Sequence, residues 1–364
     1  MEENGQYPFV SIIMPVRNEA GYIQRSLGAV LNQDYPAQSL EVLVVDGMSQ
    51  DGTRDIVRAM ADNRRGIRVL LLDNPARIVP AALNIGLRHA RGSVIVRVDG
   101  HCEVAPDYVR HCILAMQDTG ADCVGGVCVT IGETPIARAI AVAQSSPFGI
   151  GNVAFRVQRT TPGYVDTVPF GAYRREVFRR LGGFDERLVR HQDYEFNVRL
   201  RQAGGKIYYT PAIQSRYYSR NSLRKLARQY GEYGFWKAFV TLENPGALAL
   251  RHLAPIGLVG ALAGSGLLSI FAPWARPLLV SVCLSYAVAC AAMAIREARR
   301  AGWRYVLLLP AAFATIHLCW GAGFWWGLLR NGAQRFIGRA AGRRGALAPA
   351  DDPAEQAGLS FKRE

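Results

Sequence analysis

Through the first half of the chain, short apolar runs rich in β-branched residues alternate with stretches of helical spacing, and long uncharged apolar runs dominate the last third. Residues 9–14 read as a strand that stops at Pro15. Arg17-Asn18-Glu19-Ala20 follows, and Ile23, Leu27, Val30 and Leu31 then recur on one helical face. Residues 42–45 give a second strand ending at Asp46. The polar turn from Asp46 to Thr53 leads into a helix with Ile56, Val57 and Met60, for which Thr53 is the expected cap. Residues 67–72 are a third strand. A helix with Ala81, Leu83, Ile85 and Leu87 then precedes Gly92 and a fourth strand, residues 93–98. Strands that are apolar throughout, alternating with helices, predict an α/β domain whose mostly parallel sheet is covered on both faces.

Beyond Glu103 the pattern predicts a helix to Met116 and a strand over residues 121–130. Residues 132–161, rich in Gly, Ser, Pro and Arg, read as a long, partly mobile loop folded over the site. A short strand over 166–170 and a helix ending at Gly182-Gly183 come next. Residues 191–200 predict a helix that starts near Asp193 and buries Phe196, Val198 and Leu200. Leu223, Leu226, Tyr230 and Tyr233 mark a further helix with Arg224, Lys225, Arg228 and Lys237 between them. Such a helix suits a bilayer interface or, alternatively, a place packed on the domain.

Residues 253–272, 277–295 and 305–329 contain no Lys, Arg, Asp or Glu, and each approaches or exceeds the roughly 20 residues needed to cross a bilayer. His317 within the last is read as a helix-packing residue. The resulting division is a catalytic domain over 1–215, basic interface helices over 216–250, a membrane region over 251–330 and a basic, disordered tail over 331–364. The first residues carry no signal-peptide pattern, so the first domain is expected in the cytoplasm of a multi-pass inner-membrane protein. The loop with Arg296, Arg299, Arg300 and Arg304 then obeys the positive-inside rule. Three full crossings would put the tail with Arg335, Arg339, Arg343 and Arg344 outside, which breaks it. The third segment, interrupted by Pro310, Gly321 and Gly323, is the one expected not to cross fully.

Composition sharpens this picture. The average of 50% hydrophobic and 20% charged residues hides a change near residue 245. A formal charge of +14 suits lipid or nucleotide phosphate. No zinc-finger spacing or other nucleic-acid signature accompanies it, so nucleic acid is not an expected partner. Seven scattered cysteines without a C-x-x-C pair indicate reduced thiols rather than a disulfide framework.

The chemistry gathers at strand ends. Open α/β sheets bind ligands beyond the carboxyl ends of their strands, where Asp46 and Asp99 fall. Either can accept from a base N–H or a ribose hydroxyl, or bind a metal that bridges a diphosphate. Either can equally be a polar Asp-Gly turn. In Asp99-Gly100-His101, Gly100 leaves the backbone free to bring a carboxylate and an imidazole to one cation. The first strand is followed by Pro15-Val16-Arg17-Asn18-Glu19 and not by G-x-G-x-x-G, which excludes dehydrogenase-type dinucleotide binding. Asp193 and Glu195 read either as site acids or as an N-cap and a first-turn acid.

Several of these pieces occur together in one order: residues 10–19, Glu41 to Thr53, Asn84-Ile85-Gly86, Arg91-Gly92, Val98 to His101, Gly182 to Asp185 and Gln192 to Glu195. The set resembles the family 2 inverting glycosyltransferases of GT-A fold, most closely the succinoglycan-type membrane glucosyltransferases. The resemblance implies a nucleotide-sugar donor, most often UDP-linked, and a divalent metal, Mn²⁺ or Mg²⁺. It places Pro15, Val16, Arg17, Glu19, Asp46 and Asp99 around the nucleotide, and Asp99 and His101 at the metal, His101 standing where the family has a second acid. It makes Asp193 the general base, with Gln192 in place of the family's Glu. The implied activity is transfer of one sugar to a lipid-linked acceptor in exopolysaccharide or cell-surface glycan synthesis, since the processive Q-x-x-R-W spacing is absent. A polyprenyl-phosphate sugar synthase and a non-catalytic nucleotide-sugar-binding scaffold are the alternatives.

Overall fold

The structure is a computed structural model. It describes residues 7–62 and 66–345, with side chains as far as Gly332. The first four strands fall where the periodicity puts them: β1 (Val10–Val16), β2 (Leu40–Asp46), β3 (Arg68–Asp73) and β4 (Val94–Arg97). Between them lie α1 (Ile23–Leu31), α2 (Thr53–Asp62) and α3 (Val79–His89). The four strands are parallel in the order β3-β2-β1-β4. Alternate residues of one strand serve opposite faces. Ile12, Met14, Val42 and Val44 pack on Ile23, Leu27 and Val30 of α1. Ile13, Leu43 and Val45 pack on Ala82 and Leu83 of α3.

The sheet then becomes mixed. β5 (Cys102–Val104), α4 (Tyr108–Thr119) and β6 (Cys123–Ile131) follow, and further on β7 (Gly163–Tyr164), β8 (Ala172–Arg174), α7 (Arg175–Leu181), α8 (Gln192–Gln202) and β9 (Ile207–Tyr218). The order continues from β4 through β8, β6 and β9 to β5, with antiparallel pairing everywhere except between β6 and β9. β9 runs to Tyr218, so the expected boundary at residue 215 falls inside a strand.

Two expectations need correction. Residues 132–161 are not an extended loop: α5 (Pro135–Ser145) and α6 (Pro147–Ile150) lie within them. Thr134 caps α5 by accepting from the Ala137 N–H, and Pro135 fits the first turn, where no N–H partner is needed. Residues 166–170 form no strand. Pro169 cannot donate to a ladder, and Phe170 sits in the left-handed region at φ 46°.

α9 (Leu223–Glu243) is followed by three helices long and apolar enough to cross a membrane: α10 (Leu253–Phe271), α11 (Ala275–Ala301) and α12 (Leu308–Gly345). The tail expected to be disordered over residues 331–364 is helical as far as Gly345; residues 346–364 lie outside the described residues. Large side chains such as Leu267, Phe271, Leu284 and Val288 face outward from α10 and α11. α12 differs. Leu309, Phe313, Ile316 and Trp320 pack on Ile140 of α5 and on Leu226 and Tyr230 of α9. Glycines bring α9 and α12 into backbone contact. A Cβ at Gly234 would lie 1.9 Å from the Trp320 oxygen, and one at Gly323 2.1 Å from the Gly231 oxygen.

Candidate active site

Strand register sets the site. β1 is the centre of the parallel half, with Val16 opposite Asp46 on one side and Ile13 opposite Arg97 on the other. Pro15, Val16, Arg17, Asp46 and Asp99 therefore share one edge. The loops after β1 and β2 interlock: the Asn18 N–H donates to Ser49 Oγ (2.8 Å), the Gln50 N–H to Asn18 Oδ1 (2.9 Å) and the Glu19 N–H to Thr53 Oγ1 (2.8 Å). Asn18 and Met48 hold left-handed backbone there, which is costlier for Met than for Asn. Thr53 is the first residue of α2 and not its cap; its own N–H donates to Asp51. Asp46 is fully buried. Its carboxylate accepts from the Ser49 N–H and hydroxyl and from Arg54 (2.8 Å), so it closes its own turn. Contact of Asp46 with a base requires the Ser49 bonds to open.

Asp99-Gly100-His101 is a tight turn closed by the Cys102 N–H donating to the Asp99 carbonyl (3.0 Å). A Cβ at Gly100 would approach Val16 and Glu19 side-chain carbons to 3.0 Å, so the turn tolerates little there. His101 Nδ1 lies 2.8 Å from Glu19 Oε1. A carboxylate only accepts, so the His101 Nδ1–H donates to Glu19 and Nε2 is the ring nitrogen left for another partner. Tyr217 of β9 flanks the imidazole, ring centres 5.3 Å apart.

Arg97 ties the two halves of the site together. Its Nε donates to Asp99 Oδ1 (2.9 Å), its Nη2 to Asp99 Oδ2 (3.1 Å), and its Nη1 lies 3.3 Å from Asp193 Oδ2. Burial alone would lower its pKa, but the carboxylates of Asp99 and Asp193 raise it instead. The sequence reading passed over this residue as part of an apolar strand. The signal was there: a lone cation between Val96 and Val98 of a buried strand.

α8 delivers Asp193. The helix begins at Gln192, and His191 holds the cap position with φ 64°. Asp193 is thus not the N-cap, and its side chain turns to Arg97. The His191 Nε2–H donates to the Tyr233 carbonyl (2.9 Å), and burial together with Lys237 brings its pKa down to about 3, so the imidazole is neutral. Glu195 pairs with Arg199 (2.6 Å), which also donates to the Leu181 and Gly183 carbonyls. Asn84 bonds the backbone of Phe184 in both directions. Glu195, Asn84 and Gly183 are therefore fold determinants.

Arg97, Asp99, His101, Gln192 and Asp193 line one cavity of about 670 Å³. Its opposite wall comes from Gln144 and Phe148 of the α5–α6 segment, Pro255 and Leu258 of α10, and Ile316 and Trp320 of α12. Pro15, Val16, Arg17, Glu19 and Asp46 flank Asp99 and His101 outside that lining. Among the described residues, no three or more His, Cys, Asp or Glu side chains converge as a ready-made metal cage.

A sheet with acids at its carboxyl edge and a cavity bordered by apolar helices defines the class as a GT-A-type α/β domain followed by helices long and apolar enough to cross a membrane. A solved mannosyltransferase, PcManGT from Pyrobaculum calidifontis in complex with GDP-Man and Mn²⁺, shares this fold with a TM-score of 0.53 at 22% identity, over 86% of this chain and 88% of that one. Residues 11–182 match the family model Glycosyl transferase family 2. The succinoglycan biosynthesis protein ExoA of Rhizobium meliloti (strain 1021) is 33% identical over 320 residues, 87% of this chain and 94% of that protein. A dolichyl N-acetyl-α-D-glucosaminyl phosphate 3-β-D-2,3-diacetamido-2,3-dideoxy-β-D-glucuronosyltransferase of Methanococcus voltae is 29% identical over 69% of this chain and 79% of its own length. The chain belongs to glycosyltransferase family 2.

Proposed function

We propose that this protein is an inverting, membrane-anchored glycosyltransferase that moves one sugar from a nucleotide-sugar donor, UDP-linked, to a lipid-linked acceptor in exopolysaccharide or cell-surface glycan synthesis. The observation that carries the reading is one shared cavity. Asp99, His101 and Asp193 share it with residues of two apolar helices, so the acids and a lipid-borne acceptor have one meeting place. The Methanococcus relative, named for a transfer onto a dolichyl-phosphate-linked sugar, supports the acceptor class.

Inversion is an in-line displacement in which the acceptor hydroxyl attacks the anomeric carbon as the diphosphate leaves. Asp193 takes the hydroxyl proton, the usual work of a positioned carboxylate. Arg97 holds Asp193 and Asp99 at fixed separation. His191 and the left-handed turn it occupies set the angle of Asp193. Arg156 and Arg220, cations on the same cavity with no carboxylate partner among the described residues, offer positive charge to the departing diphosphate.

Asp99 and His101 fit a divalent metal. They lie two residues apart on one turn, and Glu19 orients His101 with Nε2 free, as a carboxylate orients a metal-binding histidine. Two protein ligands suit a cation that takes its remaining ligands from water and phosphate oxygens. Such a metal would neutralise charge developing on the leaving group.

The proposal extends to topology. Protein buries only 6% and 11% of the most apolar stretches of α10 and α11, against 39% for that of α12. α12 is pressed against α5 and α9, and His317 Nε2 donates to the Phe148 carbonyl (2.8 Å). A helix packed along that domain does not also stand alone in lipid. We assign the crossing to the α10–α11 hairpin, with α9 and α12 along the cytoplasmic interface. Both Arg-rich stretches then lie inside, in keeping with the charge rule. The activity is tested by incubating membranes with labelled nucleotide sugars and following label into lipid extracts. Label on a pre-existing lipid-linked glycan is the expected product.

A further inference from the structure

Six Lys and Arg side chains line the cavity against two carboxylates, Asp99 and Asp193. Most of the six are spoken for. Arg97 holds the two acids, Arg190 pairs with Glu232 (3.2 Å), and Arg251 pairs with Asp166. Arg156 stacks on Tyr217 beside His101 and donates to Thr130, and Arg220, half-buried, also acts on Tyr217, which places both at the donor end. Lys237 is different. It lies on α9, one turn from the Gly234 contact with α12, and is only 2% exposed. No carboxylate among the described residues lies within ion-pairing distance. Its ammonium stands 3.0 Å from the centre of the Tyr194 ring, the residue after Asp193.

A lysine buried without a counter-ion is costly. Burial, and the charge of Arg251 after it, push its pKa well below the usual lysine range. An aromatic face offsets part of that cost. What would offset the rest is an anion in the cavity. The same cavity presents apolar side chains: Ala254, Pro255 and Leu258 of α10, and Ile316 and Trp320 of α12, which stacks on His252 (5.6 Å).

We propose that Lys237 is the anchor for the phosphate or diphosphate head group of the acceptor lipid, with the start of the lipid chain lying against the apolar residues that α10 and α12 contribute to the cavity. This rests on the glycosyltransferase reading for the word acceptor, but the binding site itself does not require turnover. The head group sits on the Asp193 side, away from Arg156 and His101. The sugar it carries then extends from Lys237 past Tyr194 towards Asp193. Arg251, already neutralised by Asp166, borders the same position.

The test is direct binding of radiolabelled farnesyl diphosphate to the full-length protein in phosphatidylcholine nanodiscs, with nucleoside diphosphate binding as a measure of intact folding. Wild type should bind farnesyl diphosphate saturably. Lys237→Met should weaken that binding at least ~10-fold, as loss of a charged hydrogen bond does, and Lys237→Arg should restore most of it. Farnesol should not compete, and inorganic diphosphate should compete far more weakly. Unchanged binding in Lys237→Met, or equal loss in Lys237→Met and Lys237→Arg with nucleotide binding intact, would overturn the anchor role. Equal competition by inorganic diphosphate would overturn the lipid assignment. If binding behaves as expected but no nucleotide sugar is ever transferred, the glycosyltransferase reading fails and the anion site stands.

Discussion

At the scale of single residues, the candidate site combines charges placed where the sequence advertises them with two that it conceals. Asp99, His101 and Asp193 were legible because each interrupts an apolar pattern at the end of a strand or the start of a helix. Arg97 and Lys237 were not, because a lone cation within an apolar strand or a basic helix reads as ordinary until its neighbours are known. Glu19 shows the same limit: the motif placed it near the nucleotide, while its bond to His101 Nδ1 appears only in three dimensions. That bond makes a prediction. Mn²⁺ affinity, measured by electron paramagnetic resonance in the presence of nucleoside diphosphate, should fall for His101→Ala. It should fall roughly 10-fold or more for Glu19→Gln, the usual size of an outer-shell effect. Equal affinity in His101→Ala and wild type would remove the imidazole from the metal. His191 supports a second prediction. Its imidazole is neutral in the fold, with a pKa of about 3, and takes up a proton in the unfolded chain below an ordinary value near ~6.5. The unfolded state therefore binds the extra proton, and stability should decline as pH falls from about 6.5 towards 3. Asn, which tolerates the left-handed backbone at this position, is the suitable replacement. His191→Asn should lose less thermal stability than wild type between pH 7 and 5; identical pH profiles would contradict the assignment.

At the scale of elements, the parallel half of the sheet was readable because its strands are apolar throughout and separated by amphipathic helices. The α5–α6 segment was not, although Thr134-Pro135 is a helix start and Ile136, Ala139, Ile140 and Ala143 recur at helical spacing. Glycine and proline around it masked that signal. β9 also escaped the reading, since its twelve residues mix polar and aromatic positions that only pairing with β6, β5 and β7 explains. The glycines of α12 were read as interruptions of a membrane segment. In the structure Gly323 meets the Gly231 backbone of α9 and Gly321 meets the Pro255 backbone of α10. Gly234→Val should force the two helices apart, because its branched side chain has no space beside the Trp320 carbonyl. The expected outcome is a clear loss of thermal stability in detergent, with new protease cleavage between residues 244 and 252. A variant as stable and as protease-resistant as wild type would show that the α9–α12 contact is dispensable.

At the scale of the whole molecule, the fold brings a sheet edge and an apolar helical hairpin, long enough to cross a membrane, to one cavity. The division between soluble and apolar parts was plain in the sequence. Their mutual arrangement was not, because it depends on α9 and α12 packing side by side. Topology follows from that arrangement. Single cysteines at Arg300 and at Arg344, placed in a variant with Cys283 replaced, should both be shielded from a membrane-impermeant maleimide in intact cells and should react after permeabilisation. Labelling of the Arg344 position from outside would mean that α12 crosses. The central claim is that Asp193 is the base of a sugar transfer onto lipid. Its most direct test is the transfer of label from a nucleotide sugar into lipid extract by wild-type and Asp193→Asn protein in the same membranes, with nucleotide binding measured alongside. The account predicts a ~10²–10⁴-fold loss of transfer with donor binding nearly intact, whereas an Asp193→Asn protein that keeps more than about a tenth of the wild-type rate would contradict it.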